Sequence, residues 1–333
     1  MDTRTRYLGL DLPHPFVVGA SPLGDSVDSA KRMEDAGAAA VVMRSLFQEQ
    51  IDAEAMATHM STEVHAESHG EASSYFPSPE EFVMGPDEYL ERLCRTREAL
   101  NVPVIGSLNG TTLGGWLSHA LLIEEAGVDG LELNIYDVPM DATRSAGDIE
   151  DTVVEMVSEL KAKTNLPLAI KLSPFYTSMA HFAGRLEEAG ADSLVLFNRY
   201  FEPDVDIEEL RVTTQLQLST SSELALRLRW LAVLSPIFGG SLAVTGGVHT
   251  ATDAIKALMC GADAVQMVSV LLHHGPARIG ENLLGLRRFL KEAEYESLDQ
   301  MRGSMNLDRC PNPEAYKRAN YMRVLQTWSP LKP

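Results

Sequence analysis

Short apolar runs alternate with amphipathic helical stretches along most of this chain. The clearest unit spans residues 241–269, where one apolar run ends at Gly246 and Gly247, a helical stretch ends at Gly261, and a second apolar run ends at Ser269. Because a helical stretch joins the two runs, we expect parallel, buried strands. Paired glycines let backbone N–H groups approach a ligand, and a helix N-terminus favours an anion. The unit therefore indicates either a phosphate site or a tight turn that binds nothing.

A ten-residue pattern recurs four times, always between a helical stretch and an apolar run. The copies are EDAGAAAVVM (34–43), EEAGVDGLEL (124–133), EEAGADSLVL (187–196) and LMCGADAVQM (258–267). In each copy the glycine ends the helix and the next residues turn the chain into a strand. Repeated helix-to-strand junctions predict stacked strand–helix units.

Eight such units are visible in the pattern. Strands are predicted at 15–20, 39–45, 103–108, 130–135, 167–172, 193–198, 241–246 and 264–268. Helices are predicted near 25–36, 86–100, 114–126, 148–163, 178–189, 220–235, 250–260 and 276–293. Eight alternating units favour an α/β fold of the (β/α)8 TIM barrel type over an open doubly wound sheet. The lack of G-x-G-x-x-G after the first strand also argues against a dinucleotide fold.

One domain over residues 1–333 accommodates this pattern, with a long insertion at about 46–85 and a C-terminal cover at about 295–333. Long connections at the C-terminal ends of barrel strands are usually lids or walls of a site. The insertion carries three histidines near several acidic residues: His59, His65 and His69. A metal site is conceivable there, but the loose spacing favours no metal and acidic residues that are solvated charges. Three aromatic residues of the tail are expected to pack against the barrel: Tyr316, Tyr321 and Trp328.

Composition narrows the classes of partner. The net charge of −19 argues against nucleic acid or an anionic membrane surface. No apolar run reaches the length of a membrane span, and the N-terminus lacks an apolar signal region. Cys94, Cys260 and Cys310 form no CxxC pair, so we expect a reduced, cytoplasmic setting without a zinc or iron–sulfur site. A small molecule is the expected ligand.

Polar residues follow the predicted strands at the barrel end where active sites form. They are Ser21, Arg44, Ser45, Ser107, Asn109, Asn134, Lys171, Asn198 and Arg199. Lys171 interrupts an otherwise apolar strand, and a buried lysine is costly unless it is paired or used. It is either functional or paired with a barrel carboxylate such as Glu132. Asn134 and Asn198 are either ligand contacts or hydrogen-bonded loop anchors.

Several of these segments together resemble the dihydroorotate dehydrogenase family. The matching segments are A-S-P-L-G (20–24), R-S (44–45), E-L-N (132–134), K-L-S-P (171–174), F-N-R (197–199), T-G-G (245–247) and G-A-D-A-V-Q-M-V-S (261–269). They occur in the family's order over roughly residues 10–290. The resemblance implies a barrel oxidoreductase of the soluble class with FMN as cofactor.

The resemblance also implies roles for individual residues. The expected cofactor-binding residues are Ala20, Ser21, Arg44, Ser45, Ser107, Asn134, Lys171, Asn198, Gly246, Gly247 and Ser269. Arg44, Asn134, Asn198 and Arg199 are expected to bind substrate as well. Arg44 replaces the family's lysine beside the flavin, Arg199 replaces a small hydroxyl residue, and Val268 replaces a glycine. Lys171 matches the lysine that contacts the flavin ring.

The strand-four motif departs from the family where the general base is expected. The family's Cys or Ser base position is occupied by Asp137, with Tyr136 beside it, and both are candidate catalytic residues together with Lys171. Burial would have to raise the pKa of Asp137 from about 4 toward neutrality for it to act as a base. The alternative is an exposed loop aspartate. The family's asparagine-rich loop after strand two is also absent.

The leading hypothesis is an FMN-dependent oxidoreductase acting on the CH–CH bond of a small cyclic or carboxylate substrate. Dihydroorotate, and hence pyrimidine biosynthesis, is the leading specific assignment by resemblance. One alternative is a lyase or aldolase in which Lys171 forms a Schiff base and the Gly246–Gly247 loop holds a substrate phosphate. Another is a flavin subunit of a larger redox complex. A homodimer and a redox partner subunit both remain open.

Overall fold

The computed structural model describes residues 1–47, 86–109, 116–199, 203–213, 216–317 and 319–327. Its strands are β1 (Thr5–Tyr7), β2 (Leu10–Leu12), β3 (Phe16–Val18), β4 (Val41–Val42), β5 (Leu46–Phe47), β6 (Val104–Asn109), β7 (Gly130–Asn134), β8 (Leu168–Leu172), β9 (Ser193–Leu196), β10 (Asp204–Asp206), β11 (Arg211–Thr213), β12 (Ser241–Thr245) and β13 (Ala264–Met267). Its α-helices are α1 (Val27–Asp35), α2 (Pro86–Ala99), α3 (Trp116–Glu125), α4 (Ala146–Lys163), α5 (Met179–Glu188), α6 (Leu224–Leu234), α7 (Ala251–Met259), α8 (Ser269–His274), α9 (Arg278–Glu292), α10 (Leu298–Met301) and α11 (Ala319–Gln326).

Parallel strands close into a barrel with helices outside it. The ring runs β3, β4, β6, β7, β8, β9, β12 and β13, and β13 returns to pair with β3. Val265 of β13 lies opposite Phe16 of β3, which closes the ring. The short strand β5 continues the position of β4 and pairs with β6. The predicted (β/α)8 barrel is therefore confirmed.

The repeated decapeptides have a common physical basis. Their glycines, Gly37, Gly127, Gly190 and Gly261, all have positive φ, from 78° to 113°, so each ends a helix in a conformation that side chains disfavour. In three copies the following aspartate then accepts the backbone N–H of the preceding barrel strand at 2.8 Å. These bonds join Asp129 to Val104, Asp192 to Leu168 and Asp263 to Leu242. The pattern thus both ends a helix and aligns two neighbouring strands.

A hairpin that the sequence pattern did not predict plugs the N-terminal end of the barrel. Strands β1 and β2 pair antiparallel, and Tyr7 at the end of β1 and Leu8 in the turn are fully buried. The Leu8 N–H donates to Ser241 Oγ at the start of β12 (3.1 Å). The barrel interior at this level is lined by small residues, which leave room for the plug: Ala39, Ala40, Ala169, Ala243 and Ala264.

The C-terminal segment after α9 packs against the outside of the barrel helices. Backbone N–H groups of Gly303 and Met305 donate to the last residues of α7, and Leu307 donates to Ala232 of α6. Tyr316 Oη donates to the carbonyl of Met305 (2.7 Å). This segment therefore lies near the N-terminal end of the barrel. The side chain of Tyr321, the whole of Trp328 and the three histidines of the insertion lie outside the described residues.

Two further features concern the long connections and the surface. The connection between β9 and α6 contains the antiparallel pair β10–β11, whose side chains are largely exposed. Within the described ranges, no helix is long and apolar enough to cross a membrane. The same residues bring together no group of three or more His, Cys, Asp or Glu side chains suited to a metal ion.

Candidate functional site

Polar side chains gather inside the C-terminal mouth of the barrel because alternate strand residues face inward. Asn109, Asn134 and Lys171 lie side by side, since Asn134 is in register with both of the others. Two residues deeper on β7, Glu132 is fully buried. The strands therefore place a polar layer above the apolar plug, as the sequence pattern indicates for an active site.

Asn134 is the centre of one hydrogen-bonded cluster in this mouth. Its Nδ2 lies 3.1 Å from Ser45 Oγ, 2.9 Å from Ser107 Oγ and 3.2 Å from the Leu108 carbonyl. The two serine hydroxyls are 2.8 Å apart. Three predicted site residues from β6, β7 and the loop after β4 thus meet, and the hydrogen bonds fix the orientation of the amide.

Lys171 belongs to a second, deeper network. Its Nζ lies 3.2 Å from Glu132 Oε1, and Gln266 Nε2 donates to Glu132 Oε2 at 2.5 Å. Gln266 also lies 3.4 Å from Tyr7 Oη, whose pKa is raised by burial and by the charge of Glu132. The ion pair foreseen as an alternative for Lys171 is therefore present. A lysine has three donors, so one bond to Glu132 holds the ammonium group and still permits contact with a ligand.

Other predicted residues are held at the rim by bonds within the protein. Asn198 Nδ2 donates to the carbonyls of Ile135 and Lys171 at 2.9 and 3.1 Å, which is the arrangement of a loop anchor. Arg44 pairs with Asp25 (2.8 Å), and Arg199 pairs with Glu223 (2.9 Å). Both guanidinium groups are thus positioned by carboxylates.

The glycine loop after β12 has the expected shape. Gly246 and Gly247 have φ of 78° and 79°, and a Cβ on Gly247 would lie 2.6 Å from the backbone nitrogen of Leu224. Beneath the loop, buried Arg227 donates to the carbonyls of Thr245 and Glu223. Sequence reasoning missed Arg227, since nothing in a helical stretch marks which arginine lies under a loop. A buried guanidinium there favours an anion above the glycines.

Ser219 is a second residue that the sequence did not reveal. Its backbone N–H donates to Ser269 Oγ (3.1 Å), and its own Oγ accepts from the N–H of Gly247 (3.3 Å). It therefore joins the two predicted phosphate loops. Ser219 lies in the polar run LSTSSE before α6, where several hydroxyl residues look equivalent in sequence.

The segment after β3 lies beside the second loop. Ser21 is buried, and its hydroxyl donates to the Gly19 carbonyl (3.0 Å). A Cβ on Gly19 would lie 2.8 Å from Val268 Cγ2. Val268, which replaces a family glycine, therefore packs against the strand that leads to Ala20 and Ser21.

The candidate base lies beside an open cavity of about 540 Å³ at the rim. The cavity is lined by Tyr136, Asp137, Val138, Pro139, Ala146, Ile149, Glu150, Ser173, Phe175, Tyr176, Thr177 and Pro203. The Asp137 side chain is 34% exposed, and its Oδ2 lies 4.0 Å from Arg144. Asp137 is thus neither a fully exposed loop residue nor a buried one, and a ligand in the cavity would contact it.

Comparison with known proteins gives this barrel mouth its context. Residues 83–290 match the family model described as dihydroorotate dehydrogenase. The chain belongs to the dihydroorotate dehydrogenase family. It is 28% identical over 306 residues to the catalytic subunit of dihydroorotate dehydrogenase B (NAD(+)) of Thermoplasma volcanium, covering 91% of this chain and 98% of that protein. The corresponding subunit of Desulforamulus reducens is 30% identical over 234 residues, or 67% and 75% of the two chains.

A relative named for another electron acceptor is also similar. The putative dihydroorotate dehydrogenase A (fumarate) of Aeropyrum pernix is 27% identical over 221 residues, covering 65% of this chain and 72% of that protein. Membership of the dihydroorotate dehydrogenase family confirms the resemblance drawn from the motifs and supports an oxidoreductase. The matches give no support to a Schiff-base lyase.

Proposed function

We propose that the protein is an FMN-dependent oxidoreductase that acts on a CH–CH bond of a small cyclic or carboxylate substrate, with dihydroorotate as the first candidate. The observation that carries the proposal is the convergence of three features at one barrel mouth. These are the Lys171–Glu132 pair, the Asn134 cluster and the Gly246–Gly247 loop over Arg227. Family membership supports the same reaction class.

The residues present fit the chemistry of FMN. The ribityl phosphate needs hydrogen-bond donors, room for close approach and a nearby cation. The Ser269 hydroxyl would be a donor, the Gly246–Gly247 loop leaves room for the phosphate, and the buried Arg227 would supply the positive charge. The polar edge of the flavin ring needs donors, which Lys171 and the Asn134 cluster supply. Bound at this mouth, FMN would accept the hydride.

The protein's own residues would hold charge and orient the reactants. Glu132 holds the Lys171 ammonium in the barrel mouth, and Asp25 holds Arg44 at the rim. A cation at either position would stabilise negative charge that develops on the ring during hydride transfer. Because a guanidinium is planar and bulkier than an ammonium, Arg44 would contact the ring and substrate differently from a lysine.

Asp137 is our candidate for the group that takes a proton from the substrate, with Tyr136 as the neighbouring alternative. Both line the cavity at the rim, as does Ser173. A substrate that fills this cavity would displace water from Asp137 and bring its own C–H group to the carboxylate that would take the proton.

We further propose that a separate redox subunit receives the electrons. The relatives from Thermoplasma volcanium and Desulforamulus reducens are named as catalytic subunits, a term that implies a companion chain for those proteins. Copurification with a flavin or iron–sulfur protein would support the proposal. A homodimer with full turnover on a soluble acceptor would contradict it.

The test of the substrate is an anaerobic titration of the FMN-loaded protein with dihydroorotate. Bleaching of the flavin's visible absorbance is expected, and Asp137→Asn is expected to slow the bleaching by about 10²-fold or more while flavin binding persists. Asp141→Asn is the matched control, because Asp141 is an exposed aspartate of the same loop, and among the described hydrogen bonds its side chain accepts only from Thr143. No bleaching at any dihydroorotate concentration would exclude this substrate.

A further inference from the structure

Ser219 links the predicted phosphate loops to a histidine outside the family's motif. Its hydroxyl lies 3.2 Å from His249 Nε2 and accepts the Gly247 N–H. Its backbone N–H donates to Ser269 Oγ, which leaves the Ser269 proton able to point elsewhere. Only 3% of Ser219 is exposed. The geometry therefore ties His249 to both loops through one buried hydroxyl.

Hydrogen bonds hold the backbone of His249 as well as its ring. Its N–H donates to Asp253 Oδ2 (3.1 Å), which also accepts from the Ser221 hydroxyl at 2.8 Å and from Thr250. Burial raises the pKa of Asp253, but these hydrogen bonds outweigh it and lower that pKa overall. Asp253 is therefore a charged cap at the start of α7, and it fixes where the His249 ring can lie.

The charges around the His249 ring come from two elements. Burial lowers the pKa of His249 below its usual value, and His273 and His274 of α8 lower it further. The charge of Asp253 and a hydrogen bond of the ring with the Ser219 backbone act in the opposite direction. The ring is thus predominantly neutral near pH 7 when no anion is bound, and the charge of a nearby anion would change that balance.

We propose that His249 is a positioning residue for the cofactor phosphate and takes up a proton when the phosphate binds. This inference rests on the proposed function, because it assumes a phosphate at the Gly247–Ser269 loops. An imidazolium always has a proton on Nε2, which it donates to Ser219 Oγ. Since this oxygen already accepts from Gly247, the serine's own proton turns toward the phosphate.

The neutral ring can favour the opposite arrangement. When Nε2 carries the lone pair, Ser219 donates its proton to His249 and has none for the phosphate. A dianionic phosphate nearby would raise the pKa of His249, so the protonated ring strengthens binding of FMN. This gain in FMN affinity is complete below the pKa that His249 has without ligand. The gain is lost as pH rises through the pKa of the complex. Phosphate has its own second pKa of about 6, so wild type and variant must be compared at each pH.

The primary experiment measures binding of FMN to the full-length apoprotein by quenching of flavin fluorescence over a pH series. His249→Gln is expected to weaken FMN binding about tenfold near pH 5.5, the loss of one charge-assisted bond, and less than about twofold near pH 9. Riboflavin, which lacks the phosphate, is expected to bind both proteins equally. His273→Gln is the matched control: it removes a neighbouring imidazole without touching Ser219, so the pH-dependent gain is expected to remain.

A double-mutant cycle tests whether His249 acts through Ser219. In a Ser219→Ala background, His249→Gln is expected to change FMN affinity less than about twofold at any pH. Additive effects of the two substitutions would overturn the positioning role. If a variant fails to fold, NMR titration of the wild-type His249 ring supplies the test, with a higher pKa expected in the presence of inorganic phosphate.

The outcomes separate this inference from the function beneath it. If no variant binds FMN at any pH, the proposed function fails and the inference fails with it. If FMN binds and the wild type and His249→Gln share one pH profile, only the role of His249 is overturned. The same holds if riboflavin shows the pH dependence of FMN, because the effect then lies away from the phosphate.

Discussion

Lys171 Nζ and Glu132 Oε1 lie 3.2 Å apart inside the barrel, where Glu132 is fully buried and Lys171 is nearly so. A buried ion pair costs desolvation of both charges, so its presence is weak evidence for stability. Its position directly below the polar mouth gives it another use. Under the proposed function, Glu132 holds an ammonium group that would stabilise negative charge on a flavin bound in the mouth.

The first prediction concerns the loss of one partner. Glu132→Gln is expected to destabilise the protein by about 3–5 kcal/mol, because it leaves the charge of Lys171 buried without a partner. Urea denaturation measures this change. The double variant Glu132→Gln with Lys171→Met is expected to recover much of the loss, since both buried charges are gone. A double variant less stable than Glu132→Gln alone would show that the pair itself stabilises the barrel.

The second prediction compares two glycines with the same backbone angle. Gly247 and Gly275 both have φ of 79°, but a Cβ on Gly247 would collide with the backbone of Leu224, whereas at Gly275 it would meet no described atom within 4 Å. Gly275→Ala is expected to cost about 1–2 kcal/mol from the backbone angle alone. Gly247→Ala is expected to cost more and to weaken FMN binding, measured by fluorescence quenching. Equal losses of stability and unchanged FMN affinity would argue against a phosphate loop at Gly247.

The third prediction is a pH dependence of stability at His14. Burial lowers the pKa of His14 from 6.5 to about 4, and the charge of Arg287 also lowers it. A hydrogen bond with the Gly37 backbone acts in the opposite direction. Its Nδ1 accepts the Phe16 N–H (3.3 Å) at the start of β3. Because the unfolded chain binds this proton more readily, stability is present above about pH 6.5. It is lost as pH falls toward 4, by about 3 kcal/mol in total.

Urea denaturation of His14→Gln at about pH 5 and about pH 7 checks this. The variant is expected to lose less stability between the two pH values than the wild type. His181→Gln is the control, because His181 is an exposed histidine on α5. If His14→Gln and His181→Gln have the same pH dependence as the wild type, His14 is not the group responsible.

The barrel was predictable because its signals are local and repeated. Each decapeptide copy ends a helix at a glycine of positive φ: Gly37, Gly127, Gly190 and Gly261. A helix end predicted at one copy is therefore supported by the other three. The β1–β2 hairpin could not be predicted, because its turn residue Leu8 has positive φ, a conformation that leucine rarely adopts. The small residues that pack around the hairpin also lie on strands that are far apart in sequence.

The residues of the candidate site also differ in how far the sequence indicates them. Asn134, Lys171 and the glycine loop could be proposed from the sequence because they follow strands and interrupt apolar patterns. Ser219, His249 and Arg227 could not, because their contacts depend on distances across the fold: Ser219 lies 50 residues from Ser269 in the chain but 3.1 Å from it in space. Whether Lys171 was paired or functional was also beyond the sequence, since only the structure places Glu132 beside it.

The most direct test of the account is the visible absorption spectrum of the purified protein, with any released cofactor identified by mass. A flavin spectrum and the mass of FMN are the predicted result, and they would direct further work to the substrate. A colourless protein that cannot take up added FMN would contradict the account at its centre. The loop at Gly246 and Gly247 would then have to hold some other anion, or none.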